Sequence, residues 1–214
     1  MGCAAGANVV TDNLNYYVDA KNTKSYSGSS GYGGTNWVDL TGNNDVSLAG
    51  VFYSTDGYFV LDGTNDLISQ VLTVGTAKTV SIWVRQSTGT TLGLLHRSDW
   101  RERVFQGSIV LISSNGTYLT LDYTDLVGDT DYNICYTIDG TAAKAYVNGD
   151  LAVTGTLASN MNTGSYTYYH GYQCSGSSCY YINGRVYAIS YYDTALTAGQ
   201  IKANFIALRG RIGI

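Results

Sequence analysis

The chain has no proline and only one glutamate, Glu102, among its 214 residues. The missing prolines are unusual for a loop-rich sequence but point to no function. The missing glutamates do exclude something. Retaining glycosidases need a nucleophilic carboxylate and an acid ~5 Å apart, which a strand delivers from positions two apart on one face. No stretch reads Glu-x-Asp-x-Glu, Glu102 lies in a loop-like Arg101-Glu102-Arg103 segment, and Asp122 and Asp125 would face opposite ways. Paired-carboxylate glycoside hydrolysis is therefore excluded, and the chain is expected not to be an enzyme. Charge is scarce as well: 13% of residues against the ~25% usual for soluble domains. A net charge of −4 argues against a general nucleic-acid partner.

Long apolar runs are absent too. Nothing approaches the ~18 residues of a membrane span, so no membrane partner is expected. The opening has no basic stretch followed by an apolar one, so no secretory signal is expected. Met1-Gly2-Cys3 looks like an acylation start, but Gly6 stands where that pattern needs Ser or Thr. Among the four cysteines, Cys135 sits in an alternating run and reads as a small core residue. Cys174 and Cys179 flank a loop short enough for a hairpin. A disulfide there is open to them, though it would close a tiny loop and stabilise little; with no secretory signal, free thiols are the expectation. Cysteine and histidine show no zinc spacing, and no Gly-x-Ser-x-Gly elbow accompanies His96 or His170.

Glycine (26) and tyrosine (20) fill the space, with Thr, Ser and Asn. That is the vocabulary of strands and tight turns. A chain of this length folds as one all-β domain able to bury roughly 70% of its unfolded surface. Residues 1–10 read as a small N-terminal arm and residues 11–214 as the domain. Val80, Ile82 and Val84 share one strand face, with Ser81, Trp83 and Arg85 on the other. Asn148-Gly149 is a strong two-residue hairpin signal. The one helix has Thr197 as N-cap with Gln200 completing a capping box. Ile201, Phe205 and Leu208 make its apolar stripe, and Gly210 is the expected C-terminal stop.

Taken in order, Phe59–Asp66, Val80–Arg85, Ala145–Leu151, the strand Tyr181–Tyr192 and the helix after Asp193-Thr194-Ala195-Leu196-Thr197 resemble the laminin-G-like, concanavalin-A-type jelly-roll family. The resemblance implies an all-β, two-sheet antiparallel sandwich with one short C-terminal helix. Its opening (Val10–Ala20, Asn22–Tyr26, Trp37–Gly42) and its close (Leu196-Thr197, Gln200-Ile201, Asn204-Phe205, Leu208–Gly210) are similar to a subgroup common in tailed-phage virion proteins. Members of that subgroup usually carry prolines in the first loop, where this chain has Thr23 and Ser27. The likeness covers residues 8–211. It implies a virion location, other virion proteins as partners, homo-oligomerisation and a non-enzymatic role as decoration, collar, tail or fibre module.

Some lectin and laminin-G-like jelly-rolls bind calcium through loop oxygens. Asp62, Asn65 and Asp66 offer such oxygens in an Asp-Gly-Thr-Asn-Asp turn, which these residues also form by local hydrogen bonding alone. No other cofactor is expected. A dense aromatic zone, Tyr166 to Tyr181, makes Tyr168, Tyr169, His170, Tyr172 and Tyr180 candidates for stacking on a glycan, with alternation sending about half of them to the core. A protein partner is the competing reading, since interfaces are also rich in tyrosine. His96–Arg103 is the only charge-rich segment. It reads either as a solvated loop or as a docking patch built on Trp100, Arg101 and Arg103, residue types that dominate interface energetics.

Overall fold

Period-two alternation turns most of the chain into strands, and a computed structural model describes residues 9–32, 34–87, 93–105, 107–124, 126–175 and 178–213. The first strands are β1 (Leu14–Asp19), β2 (Gly31–Tyr32), β3 (Asn36–Trp37), β4 (Val46–Ala49), β5 (Phe52–Ser54), β6 (Tyr58–Asp62) and β7 (Leu67–Val74). The middle of the chain supplies β8 (Ala77–Gln86), β9 (Leu95–Arg97), β10 (Glu102–Val104), β11 (Ser108–Ile112), β12 (Tyr118–Asp122) and β13 (Asp131–Asp139). Then come β14 (Ala142–Val147), β15 (Asp150–Thr156), β16 (Gly164–His170), β17 (Tyr172–Ser175), β18 (Ser178–Tyr181), β19 (Asn183–Tyr192) and the helix α1 (Ala198–Ile212).

Two large antiparallel sheets result, with β17 and β18 pairing as a separate hairpin. The first runs β15-β14-β13-β8-β19-β6-β5-β2, with β1 on the far half of β19. The second runs β12-β11-β10-β9-β16-β7-β4-β3. Their facing sides enclose one core that includes Tyr16, Trp37, Phe59, Ile68, Ile82, Ile134 and Ile189. β8 lies at the centre of the first sheet and is buried on both faces. Val80, Ile82 and Val84 enter this core, while Trp83 faces outward and stacks on Phe205 of α1 at 5.5 Å. The helix thus forms a third layer, its Ile201, Phe205 and Leu208 stripe covering the outside of the first sheet. Cys135 is a free, buried thiol beneath it.

Several boundaries differ from the sequence reading. The capping box at Thr197 and Gln200 forms as read, but α1 runs through Gly210 and stops at Gly213. Gly213 adopts φ 102°, a left-handed conformation that suits glycine, and its N–H bonds Arg209 O. The extra turn is anchored to β1: Arg211 Nη2 lies 2.9 Å from Asp19 Oδ2, and Lys21 Nζ donates to Arg211 O. The strand read as Tyr181–Tyr192 is interrupted after its first residue, because Ile182 turns inward and its N–H bonds Gly171 O at 2.8 Å. Gly171 must be glycine, with φ 73° and a would-be Cβ 2.2 Å from Leu61. The last two residues of the arm are docked, since Val10 N–H donates to Asn204 and Val10 O accepts from Tyr192 OH. Residues 1–8, and Cys3 with them, lie outside the described residues.

Candidate functional site

Alternation decides where the aromatic and charge-rich segments point. β9, β10 and β16 are neighbours in the second sheet, with Tyr169 opposite His96 and His96 opposite Arg103. The row continues without a break across the outer face as Thr120, Val110, Arg103, His96, Tyr169, Ser69, Ser47 and Asn36. At its middle the rings form a cluster. His96 stacks on Tyr169 at 5.1 Å and touches Trp100 at 4.9 Å and Tyr172 at 5.7 Å. Tyr172 in turn meets Tyr169 and Tyr181.

Trp100 is 36% exposed and sits at φ 67° in the β9–β10 turn. A bulky residue held in the left-handed region is strained, and here that backbone sets the indole over the cluster. At one end Arg103 reaches toward the exposed Tyr118 ring, 6.0 Å away. On the other side the row runs into a polar recess of about 210 Å³ whose lining includes Asn44, Asp45, Ser47, Ser69 and Thr167. One face therefore joins aromatic rings to hydroxyl, amide and carboxylate groups.

The inward-facing residues of the same strands correct part of the sequence reading. Tyr168 and His170 are fully buried and contribute nothing to the surface, because they alternate with Tyr169. His170 Nε2 accepts from the Gln70 amide at 2.8 Å, and its Nδ1 has no partner. Burial pushes its pKa down to about 3, so the ring is neutral. Arg101 is held by Asp99 and the Ser113 carbonyl. The Tyr180 side chain, and the question of a Cys174–Cys179 bond, lie outside the described residues. The backbone does pair those two cysteines directly across the β17–β18 hairpin.

Neither reading of His96–Arg103 as a loop or patch anticipated Glu102. It is a β10 strand residue, fully buried between the sheets. Arg97 Nη1 donates to it at 2.7 Å, Tyr168 OH at 3.1 Å and Tyr136 OH at 2.6 Å, and Lys78 Nζ forms an ion pair with it. Burial opposes ionisation of Glu102. The Lys78 and Arg97 charges outweigh that opposition and hold its carboxyl below the usual value. Arg97 is also bidentate to Asp99, at 2.6 and 2.8 Å, and lies over the Tyr166 ring. The donors come from both sheets, so the cluster pins one sheet to the other. Sequence offered one signal for it: a lone glutamate between hydrophobic alternation partners.

The proposed calcium turn is occupied by its own backbone. Asp66 Oδ2 accepts Asp62 N–H at 2.7 Å, Asp62 Oδ1 accepts Thr64 N–H at 2.8 Å, and Asn65 is exposed. Among the described residues no three His, Cys, Asp or Glu side chains gather as a metal site. A second polar region escaped the sequence reading, a groove on the outside of the first sheet that includes Tyr58, Arg85 and Arg185. Only the β8–β19 register brings its arginines together.

No curated protein matches the chain. Among solved structures, the botulinum neurotoxin serotype D binding domain superposes with a TM-score of 0.66 at 15% identity, covering 92% of this chain and 52% of that one. The serotype D ligand binding domain in complex with N-acetylneuraminic acid gives 0.62 at 15%, covering 91% and 50%. Trypanosoma rangeli sialidase in complex with sialic acid gives 0.69 at 15%, covering 100% and 36%. The chain thus spans about half the length of the toxin domains and about a third of the sialidase. At this identity the likeness is one of fold. The family model of the laminin G-like type, described as the concanavalin A-like lectin/glucanases superfamily, matches residues 54–202, and with more than half of its length so matched the chain belongs to that family.

Proposed function

We propose that this domain is a non-catalytic glycan-binding module whose contact surface is the outer face around Trp100, Tyr169 and Tyr172, which pack over the buried His96. The observation that carries the reading is the strained, partly exposed indole, set above a stacked ring cluster that runs into the Ser47–Ser69 recess. Rings of this kind cover the C–H faces of sugars, and the recess supplies donors and acceptors for their hydroxyls. The non-catalytic part rests on the only glutamate, which is buried beside two cations and cannot act with a second carboxylate on a surface substrate. Two of the similar structures are complexes with N-acetylneuraminic or sialic acid, which agrees with a sugar-directed role. The test is a glycan array followed by titration of the best ligand. Trp100→Ala should weaken binding about tenfold, and an array with no ligand for the native protein would end the reading.

A second reading, a module displayed in many copies on a virus particle, rests on the opening and closing segments that resemble tailed-phage proteins. The two are joined through Val10, Tyr192 and Asn204. Protein–protein contacts, with self-association among them, would then use the same face. Counting this protein against the major coat protein in purified particles tests it, and absence from particles would remove it.

A further inference from the structure

On the opposite side of the molecule, the outer face of the first sheet carries a row that a sheet would ordinarily avoid. Val60, Arg185, Arg85 and Asp131 are direct cross-strand neighbours on β6, β19, β8 and β13. Two arginines side by side repel; the Asp129 charge acts on Arg85, and Asp131 is the carboxylate bonded within the row. Arg85 takes all of it: its Nε donates to Asp131 Oδ1 at 2.8 Å and its Nη2 to Oδ2, while Tyr187 OH also donates to Oδ1. Arg185 lies over the Tyr58 ring, 4.5 Å from its centroid, and no carboxylate of a described residue comes within ion-pair distance of it. Its guanidinium bonds the Tyr187 side chain but has no acidic partner among the described residues. It borders a groove of about 470 Å³ that also takes in Lys21, Asp56, Tyr58, Arg85 and Tyr187, with a second recess of about 220 Å³ continuing past Asp129 and Asn183.

We propose that this groove is a second binding site, independent of the Trp100 face, for an anionic saccharide whose carboxylate or sulfate ester is taken by Arg185. Guanidinium forks match planar oxyanions bidentately. The wall of the larger groove carries three cations (Lys21, Arg85, Arg185) against two carboxylates (Asp56, Asp131), in a chain whose net charge is −4. One negative charge on the ligand would complete the row, and the Asp56 and Asp129 rims would accept sugar hydroxyls. A neutral sugar would leave the Arg185 charge without an acidic partner.

The experiment is calorimetric titration of the full chain with 3′-sialyllactose, sulfated lactose and lactose, at low and high salt, on the native protein, Arg185→Met and Trp100→Ala. An anionic probe should bind the native protein and Trp100→Ala alike, weaken several-fold with salt, and lose about tenfold or more on Arg185→Met. Whichever of the two anionic probes behaves so names the source of the charge. Lactose should show no dependence on Arg185. Removing one of two repelling arginines should leave the fold intact. If Arg185→Met nonetheless melts early, Lys21→Met on the rim should weaken the same binding a few-fold. Failure of both anionic probes to bind at millimolar concentration, or binding that Arg185→Met leaves unchanged, would overturn the proposal. Loss only in Trp100→Ala would return the ligand to the other face.

Discussion

The strands β9, β10 and β16 build two regions of opposite character from alternate residues. Outward, His96, Arg103 and Tyr169 form the aromatic row that reaches solvent through Trp100. Inward, Arg97, Glu102 and Tyr168 are fully buried and wired to Lys78 and Tyr136 of the other sheet. Among the outer residues Arg103, Tyr169 and Trp100 are partly exposed and can change at smaller cost to folding, whereas His96 is buried beneath the rings. The inner ones form a network in which every member satisfies another, so none can be changed alone. The same three strands therefore carry a buried network and an outer aromatic row that single substitutions should separate.

The largest separation is expected at Glu102. Glu102→Gln keeps the shape but leaves Lys78 buried without its counter-charge, while Arg97 keeps Asp99, and breaking a buried pair in this way costs roughly 3–5 kcal/mol. Chemical denaturation should show that loss, while any ligand of the Trp100 face still binds the folded fraction. A change below about 1 kcal/mol would mean the cluster is wetter than its burial implies.

Acid should act next, through His170. Its folded pKa of about 3 lies below the ordinary histidine value, so the unfolded chain binds the proton first as pH falls. Stability is fully present above about pH 6.5 and declines by ~1.4 kcal/mol per unit below it, down toward pH 3. By pH 4.5 that is on the order of 2–3 kcal/mol. His96, also lowered chiefly by burial, adds in the same direction, and Glu102 joins only below its ordinary carboxyl range. His170→Met should flatten the slope between pH 6.5 and 4.5 without abolishing it. An unchanged slope would show that His170 is not the group being titrated.

Much of this architecture was legible beforehand, because alternation and caps are local. The faces of Thr79–Arg85, the Asn148-Gly149 hairpin, the helix stripe and the capping box all follow from neighbours a few residues apart. The laminin-G-like order of segments was legible too. Sequence could say that half the tyrosines of Tyr166–Tyr172 face inward, but not which half, since the phase depends on where β16 pairs with β9 and β7. The groove at Arg85 and Arg185 was invisible for the same reason: residues one hundred apart became neighbours through register. Glu102 was misread because charge in a sequence suggests solvent, and only the meeting of both sheets supplies its partners.

On the outer face the expected effects on folding are smaller and those on binding dominate. Tyr169→Ala removes the ring that stacks on His96, and a central aromatic of a contact surface is worth ~1–2 kcal/mol of affinity, roughly tenfold or somewhat more. The thermal midpoint should move little by comparison with Glu102→Gln. If titration shows affinity intact while stability falls by several kcal/mol, the row is core and the contrast between the two faces collapses.

Trp100→Gly is the sharpest of these substitutions because its two consequences have opposite sign. The indole is one-third exposed and touches chiefly His96, so its removal forfeits a modest packing term. The backbone at φ 67° costs an L-residue ~1–2 kcal/mol that glycine does not pay. The loss and the gain nearly cancel, and the folding free energy should stay within about 1 kcal/mol of the native value. Trp100→Ala keeps the strain and loses the ring, so it should be the less stable of the two by about 1 kcal/mol. Both should bind equally poorly. Equal stability of the two variants would mean the turn relaxes out of the left-handed conformation once the indole is gone, and that the ring, not the backbone, holds the turn in place.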